Sequence, residues 1–520
     1  MKNYVPKDGL NGLKAHATQD LTSGFLVFLI ALPLCLGISM ASGFPPFAGI
    51  ITAMVGGLLV SPIMGSRLSI KGPAAGLISI AVAAVAELGN GDMAAGYRYA
   101  LAVVVLTGFF QVVFALLKLG RYVDFFPTSA VHGMLAAIGI IIIAKQLPVL
   151  LGATPEAKSP IGLLMELPQL IQRADTHDAL IGLDSLALLF GYGWLPFAGF
   201  KAKVPPQLMV LILGIALGSY FVLDPKFLVH LPESFSAGFV LPDFGLIGSA
   251  ATWKYVVMFA LVGSLESLLT VKAVDGLDPY RRKSDANRDL LAVGIGNSVA
   301  GMLGGLPMIA EVVRSSANVS NGALTRWSNF YHGLALLLFV ALLPGLLQLI
   351  PLSALAAMLI FTGYRLANPK IFRSIVQIGW DQLFVFSVTI LLTLVEDLLV
   401  GIFAGMVVEL LLQVLCLKGR LGSLTKAKIH TEYRENKERV VLVGAFSFAN
   451  IMKLGKALEP LKTAKHGVVD ARKAKMLDHS TMELLHSIQH EAEKSNGHVE
   501  VLFPEEAKFL GEHDLSTCIA

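Results

Sequence analysis

Charge is what this sequence has least of. Only 15% of its 520 residues are Asp, Glu, Lys or Arg, where a soluble globular chain carries about a quarter. Hydrophobic residues make up 55%, and the mean hydropathy is +0.68. Apolar runs approaching the roughly 20 residues needed to cross a bilayer recur along the chain. A soluble globule is therefore excluded, and a polytopic α-helical membrane protein embedded in a lipid bilayer is predicted. Cysteine is also scarce. Cys35 and Cys416 sit in apolar runs and Cys518 near the C-terminus, which suggests neither a disulfide framework nor metal-ligand spacing. No nucleophile–base set appears, so an enzyme is not expected, and nothing calls for a cofactor. A cleavable signal is missing as well: residues 1–20 are a polar lead with Lys2, Lys7 and Lys14, and the first apolar run has no small-residue exit. The net charge of +4 is better read through its sidedness than as affinity for nucleic acid.

The apolar segments fall at about 21–40, 47–64, 72–86, 99–117, 128–147, 180–198 and 205–223, and then, past a proline-bearing connector at 224–250, at about 252–271, 289–303, 308–322, 330–350, 352–364, 381–395 and 397–417. That is about seven before the connector and seven after it. Basic side chains follow the even-numbered segments, among them Lys118, Arg121, Lys201, Lys203, Arg282, Lys283, Arg288, Arg326, Arg365, Lys370, Arg373, Lys418 and Arg420. By the positive-inside rule both termini are expected in the cytoplasm, with the chain in the inner (plasma) membrane. Two homologous halves of seven segments each, an odd number, must lie inverted to one another. Such repeats place a substrate at midplane between paired interrupted helices. The expected divisions are a lead at 1–20, a transport domain at 21–417 with repeats at 21–223 and 252–417, and a further domain at 425–520.

The matched pair of interruptions is Lys71-Gly72-Pro73-Ala74-Ala75 in the first half and Gly305-Leu306-Pro307-Met308-Ile309 in the second. Each would leave a half-helix N-terminus with free N–H groups and a positive dipole end, which favours an anion. Glu311 and Arg314 follow the second break, three residues apart and so on one helix face. Charges at membrane depth usually mark a substrate or ion pathway. Arg314 would raise the positive potential. Glu311 would tune or gate it, or the two would simply neutralise each other. His132, alone in an apolar run, is expected to be a satisfied core histidine. Glu396 and Asp397 are expected at a solvated external turn.

From about Thr425 the chain turns charged. Val440–Gly444, Gly467–Asp470 and Val499–Phe503 read as strands, and Ile451–Leu461 and Thr481–Lys494 as helices, which suggests a small α/β domain.

Several stretches together resemble the sulfate permease (SulP-type) family of anion transporters. They are Leu32-Pro33-Leu34-Cys35-Leu36-Gly37-Ile38 with Ala41-Ser42-Gly43, then Gly72-Pro73, Glu266-Ser267-Leu268-Leu269, Asp285-Ala286-Asn287-Arg288-Asp289-Leu290, and Gly305-Leu306-Pro307 followed by Arg314 and Asn318. Val440–Asn450 and Leu477-Asp478-His479-Ser480-Thr481 resemble parts of the STAS module such transporters carry at their C-terminus.

The resemblance implies a seven-plus-seven inverted-repeat fold of fourteen transmembrane segments with core and gate domains, a cytosolic STAS-like domain, and a homodimer. It also implies a secondary active transporter of a small inorganic anion, sulfate or bicarbonate, by elevator-type alternating access in symport with protons or sodium. Carried over by motif, Pro33, Gly72, Pro73, Ala74, Met308, Ile309 and Ala310 would line the site with Arg314, with backbone N–H groups as the main donors. Glu266 would be the coupling carboxylate, with Thr270 one turn on as a further oxygen ligand if the ion is sodium. Glu311 departs from the family pattern. The loop at Asp285, Asn287, Arg288 and Asp289 is expected to fix the inner face. Ser480 falls on the phosphorylatable serine of related regulatory domains, or it simply caps a helix. A nucleobase–cation symporter of the same fold would want polar side chains at the half-helix starts. An anion-responsive signalling protein would use the C-terminal domain as its output.

Overall fold

The computed structural model of the chain describes all residues except 1–5, 158, 193–204, 231–235, 281, 397, 418–426, 435–436, 463, 495–496 and 520. The described residues divide into two compact units, one of residues 1–121 and 138–365, the other of residues 122–137 and 366–520.

The first unit is almost wholly helical. Its principal helices are α1 (Gly9–Ala41), α2 (Pro46–Val55), α3 (Ile78–Gly89), α4 (Met93–Leu116), the second part of α5 (Thr128–Leu150), α6 (Thr176–Gly191), α7 (Pro206–Phe221), α8 (Ala250–Leu277), α9 (Ala286–Leu303), α10 (Val312–Ser320), α11 (Trp327–Leu342) and α12 (Leu352–Leu366). Among the described residues four helices, α1, α4, α5 and α8, are long and apolar enough to cross a membrane. Shorter apolar helices include 46–60, 75–89, 206–221 and 327–342. α4 and α9 approach backbone to backbone. A Cβ on Gly108 would collide with Ser298 of α9, and one on Gly294 would stand 2.8 Å from the Gly108 carbonyl oxygen. Only glycine permits that spacing, which brings Asn297 of α9 within reach of the centre.

Two short strands interrupt the helices. β1 (Lys71–Pro73) and β2 (Met308–Ala310) pair antiparallel, with Lys71 opposite Ala310, Gly72 opposite Ile309 and Pro73 opposite Met308. Local sequence dictates both. Pro73 lacks an N–H and disfavours helix at Gly72 before it, and the chain re-enters helix through a 3-10 turn at Ala75–Leu77. Gly304 ends α9 in a left-handed conformation at φ +96°, which costs a glycine little. Pro307 then blocks renewed helix until Glu311 caps α10.

The second unit holds the first part of α5, then α13 (Trp380–Val395), α14 (Leu398–Cys416) and a C-terminal α/β domain. That domain's strands are β3 (Lys428–Arg434), β4 (Lys437–Phe446), β5 (His466–Leu477), β6 (His498–Leu502), β7 (Lys508–Phe509) and β8 (Cys518–Ile519). The sheet order is β3-β4-β5-β8-β7, and β6 also pairs with β5. β4, β5 and β6 run parallel, joined through α15 (Ile451–Leu458) and α16 (His479–Lys494). Parallel neighbours need such crossovers. Leu454 and Leu458 of α15 and Met482, Leu485, Ile488 and Ala492 of α16 pack with Val440, Leu442, Phe446 and Val469 of the sheet into one core.

A buried polar chain runs through this unit. The Thr517 hydroxyl donates to Asp381 (2.8 Å) and the Gln382 amide donates to Asp381 (2.9 Å) and Glu409 (3.3 Å). The Gln413 amide then donates to Glu409 and to Asp478, both at 3.0 Å. Asp478 also accepts from the N–H groups of Thr481 and Phe448, each at 2.8 Å. Ser480 is buried beside it and accepts from the Thr128 N–H at 3.5 Å. His132 is half-buried and faces Glu483 and His479, and its Nδ1 has no partner among the described residues, so it is not the satisfied core histidine expected. Asp397 lies outside the described residues.

Candidate functional site

The β1–β2 pair is fixed from all sides by side chains of the first unit. Asn297 of α9 reads Met308 in both directions, accepting from its N–H at 2.5 Å and donating to its carbonyl at 3.1 Å. The same amide donates to Gln111 at 2.7 Å, and Gln111 donates to Ser264 at 3.3 Å. The Ser267 hydroxyl accepts from the Ala310 N–H at 3.0 Å, and the Ser315 hydroxyl accepts from the Ile70 N–H at 2.9 Å. Thr52 donates to the Leu306 carbonyl at 3.0 Å. The Lys71 N–H donates to Asn329 at 3.3 Å, while the Lys71 ammonium is wholly buried and paired with Asp289 at 2.5 Å. Asp289 thus sits inside α9 as a buried ion-pair partner and not in a polar loop. Asp285 caps that helix by accepting from the N–H groups of Asn287 and Arg288.

Pro33, Gly72, Pro73, Ala74, Met308, Ile309 and Ala310 are all buried in this unit. Their backbone donors are occupied by the chain itself. The Ala74 N–H donates to the Pro307 carbonyl at 3.2 Å, Met308 and Ala310 donate to Asn297 and Ser267, and Gly72 faces Ile309 in the ladder. In this conformation these amides hold the break together and are not open to a ligand.

The two helix starts are occupied too, each by a carboxylate. Glu311 caps α10, accepting from the Arg314 N–H at 2.9 Å. The Glu266 carboxylate of α8 packs against Gly76 in the turn that opens α3, where a Cβ would stand 2.3 Å from each of its oxygens. The Glu266 Oε2 is shielded from solvent and unpartnered among the described residues. Thr270 is buried one turn on. A carboxylate at a helix N-terminus satisfies free N–H groups and the dipole. A carboxyl group of the chain itself therefore stands at each of the two helix starts expected to be open to an anion.

One strong cation remains. Arg314 is fully buried, and none of its three guanidinium nitrogens has an acceptor among the described residues. The Glu311 carboxylate stands 4.0 Å from Nε, an ion-pair distance too long for a hydrogen bond. One Nη lies directly over Gly72, where any Cβ would collide with it. The Cys35 thiol lies beside the guanidinium, two residues past Pro33. Arg314, Gly72, Pro33 and Glu311 are thus brought together, with Glu266 near enough to Glu311 for their charges to interact. Ser480 lies in the second unit. The roles of Asn297, Ser267 and Lys71 are not legible in the sequence, since they depend on contacts between distant segments.

Residues 18–389 match the sulfate permease family. The chain is 27% identical over 419 residues to the bicarbonate transporter BicA of Picosynechococcus sp., a match covering 79% of this chain and 72% of that protein. It is 26% identical over 400 residues to the putative sulfate transporter YvdB of Bacillus subtilis, covering 75% of this chain and 72% of the relative. The solved transmembrane domain of a cyanobacterial bicarbonate transporter BicA is similar at a TM-score of 0.67 and 27% identity, over 75% of this chain and 98% of that one. With most of its length matched in this way, the chain belongs to the sulfate permease family.

Proposed function

We propose that the chain is a secondary active transporter of sulfate or bicarbonate, driven by symport of protons or sodium. As a member of a transporter family it is not an enzyme. The observation that carries the reading is Arg314. A guanidinium keeps its charge in any protein environment, and a buried donor left without an acceptor costs about 1–3 kcal/mol, more when charged. A small anion reaching the break beside Gly72 would supply the missing acceptors.

The two carboxylates supply the coupling. With Glu266 ionised, an incoming anion meets a second negative charge. A proton on Glu266 removes that charge. Sodium would act similarly, held by oxygens of Glu266 and Thr270. Anion and coupling ion then enter together because each removes the penalty of the other. Glu311 limits the positive charge of the site and tunes the anion affinity set by Arg314.

The finer architecture belongs to the same reading. The pairing of β1 with β2, each opening a short helix, supports two inverted repeats at 21–223 and 252–417. A core carrying the break would move against a gate in an elevator cycle, in a homodimer in the inner membrane with both termini cytoplasmic. The parallel βαβαβ arrangement of 427–519 supports a STAS-like module. Ser480 is buried here, so its phosphorylation would require the start of α16 to open first.

The test is uptake by the purified chain in liposomes. Labelled sulfate or bicarbonate should accumulate under an imposed proton or sodium gradient, and Arg314→Gln should abolish accumulation. Undiminished uptake by that variant would contradict the assignment.

A further inference from the structure

Arg314 is not the only buried nitrogen donor without a partner at the break. His332 of α11 is fully buried, and neither ring nitrogen has a partner among the described residues. Its place follows from its helix. Asn329, one turn earlier on the same face, accepts from the Lys71 N–H, next to Gly72, and donates to the Gly56 carbonyl at 2.9 Å. Gly72 lies under the Arg314 guanidinium, and the field of that guanidinium reaches the His332 ring. α1, α10 and α11 therefore bring Cys35, Arg314 and His332 into one buried region beside Gly72.

Buried polar groups in folded proteins are paired in the great majority of cases. Two neighbouring side chains contributing five unpaired nitrogens are a marked exception, and their chemistry says what would satisfy them. The guanidinium offers donors only. A neutral imidazole offers one N–H donor and one bare nitrogen that accepts. A ligand made solely of acceptor oxygens satisfies the guanidinium and the ring N–H but has nothing for the bare nitrogen. A small oxyanion that keeps one O–H can satisfy both kinds of group.

We propose that His332 is a direct ligand of the transported anion, sharing it with Arg314, and that it favours a singly protonated oxyanion of the bicarbonate type over fully ionised sulfate. The inference rests on the transport reading above and names the substrate class of the same site. Arg314 supplies the charge; His332 supplies the distinction between an anion with an O–H and one without.

The test is concentration-dependent uptake by the full chain in liposomes, with labelled bicarbonate and labelled sulfate as probes, for the wild type and for His332→Phe. Loss of a contact made equally in the bound and transition states raises KM and leaves kcat alone. The wild type should take up bicarbonate with the lower KM. His332→Phe should raise the bicarbonate KM about tenfold with kcat within about twofold, and change the sulfate KM far less. The thermal stabilisation that added bicarbonate gives the purified protein should shrink in parallel. A histidine that is only structural would lower the anion-free unfolding temperature and leave that increment intact. Should His332→Phe not fold, His332→Leu is read by the same criteria. Unchanged KM values for both anions, or an intact bicarbonate increment, would overturn the proposal while leaving the transport reading standing. Uptake of neither anion by the wild type would overturn both.

Discussion

The carboxylate of Glu266 occupies the space that a side chain on Gly76 would need: a Cβ there would collide with both of its oxygens. Gly76→Ala must therefore push Glu266 off the start of α3. Overpacking of this kind costs about 1–3 kcal/mol, so the unfolding temperature of the purified protein should fall. Gradient-driven accumulation should fall more steeply than anion exchange without a gradient. A Gly76→Ala protein with wild-type accumulation would show that Glu266 does not work from this position.

Lys71 and Asp289 form an ion pair with both side chains inaccessible to solvent. Removing one partner leaves a buried charge, at a cost of about 3–5 kcal/mol. Lys71→Met and Asp289→Leu should each strongly lower the unfolding temperature, while the double variant should recover much of the loss, because an apolar pair of similar volume carries no stranded charge. Additive losses in the double variant would show that the two residues act separately.

The position of the break was legible because glycine and proline restrict the backbone locally: Gly72-Pro73 and Gly304 with Pro307 announce where a helix cannot continue. Glu311 was visible as an anomaly, but its capping bond to the Arg314 N–H depends on a turn geometry the sequence does not display. Lys71 and Asp289 lie 218 residues apart in the chain, and no periodicity links them. His332 carries no local signal in its apolar run, since its place beside Arg314 and Gly72 depends on distant segments. In the C-terminal domain the three parallel strands were legible from apolar runs. β3, Lys428–Arg434, was not, since edge strands are often charged and its sequence reads as polar loop.

The polar chain through the second unit predicts how the C-terminal domain is held. The Gln413 amide is the shared donor between Glu409 on α14 and Asp478 at the start of α16. Gln413→Leu leaves two buried acceptors short of a donor, a loss of about 1–3 kcal/mol. Limited proteolysis should then cut within residues 427–519 faster than in the wild type, whereas cutting at an unchanged rate would assign the attachment to other contacts. Burial pushes the Asp478 carboxyl above its ordinary range, opposed by the bonds from Thr481 and Phe448. A carboxyl raised on folding contributes stability that is present at low pH and lost as pH rises, so the contribution of buried Asp478 to the stability of the domain should fall from about pH 4 upward.

Asp470 gives the opposite sign. Arg472, at 2.9 Å, and Arg439 hold its carboxyl well below the usual carboxylate range against partial burial. A carboxyl lowered on folding contributes stability above its unfolded value, lost as pH falls through the folded one. Melting of the C-terminal domain should become easier below about pH 4, and Asp470→Asn should flatten that acid limb. An unaltered acid limb in the variant would place the sensitivity elsewhere.

Coupling through Glu266 is most directly tested by labelled sulfate and bicarbonate uptake in liposomes under imposed proton or sodium gradients, comparing the wild type with Glu266→Gln. The account predicts that the wild type accumulates one of these anions in proportion to the gradient. Glu266→Gln should equilibrate the same anion without responding to the gradient. Gradient-dependent accumulation by Glu266→Gln at the wild-type level would contradict it.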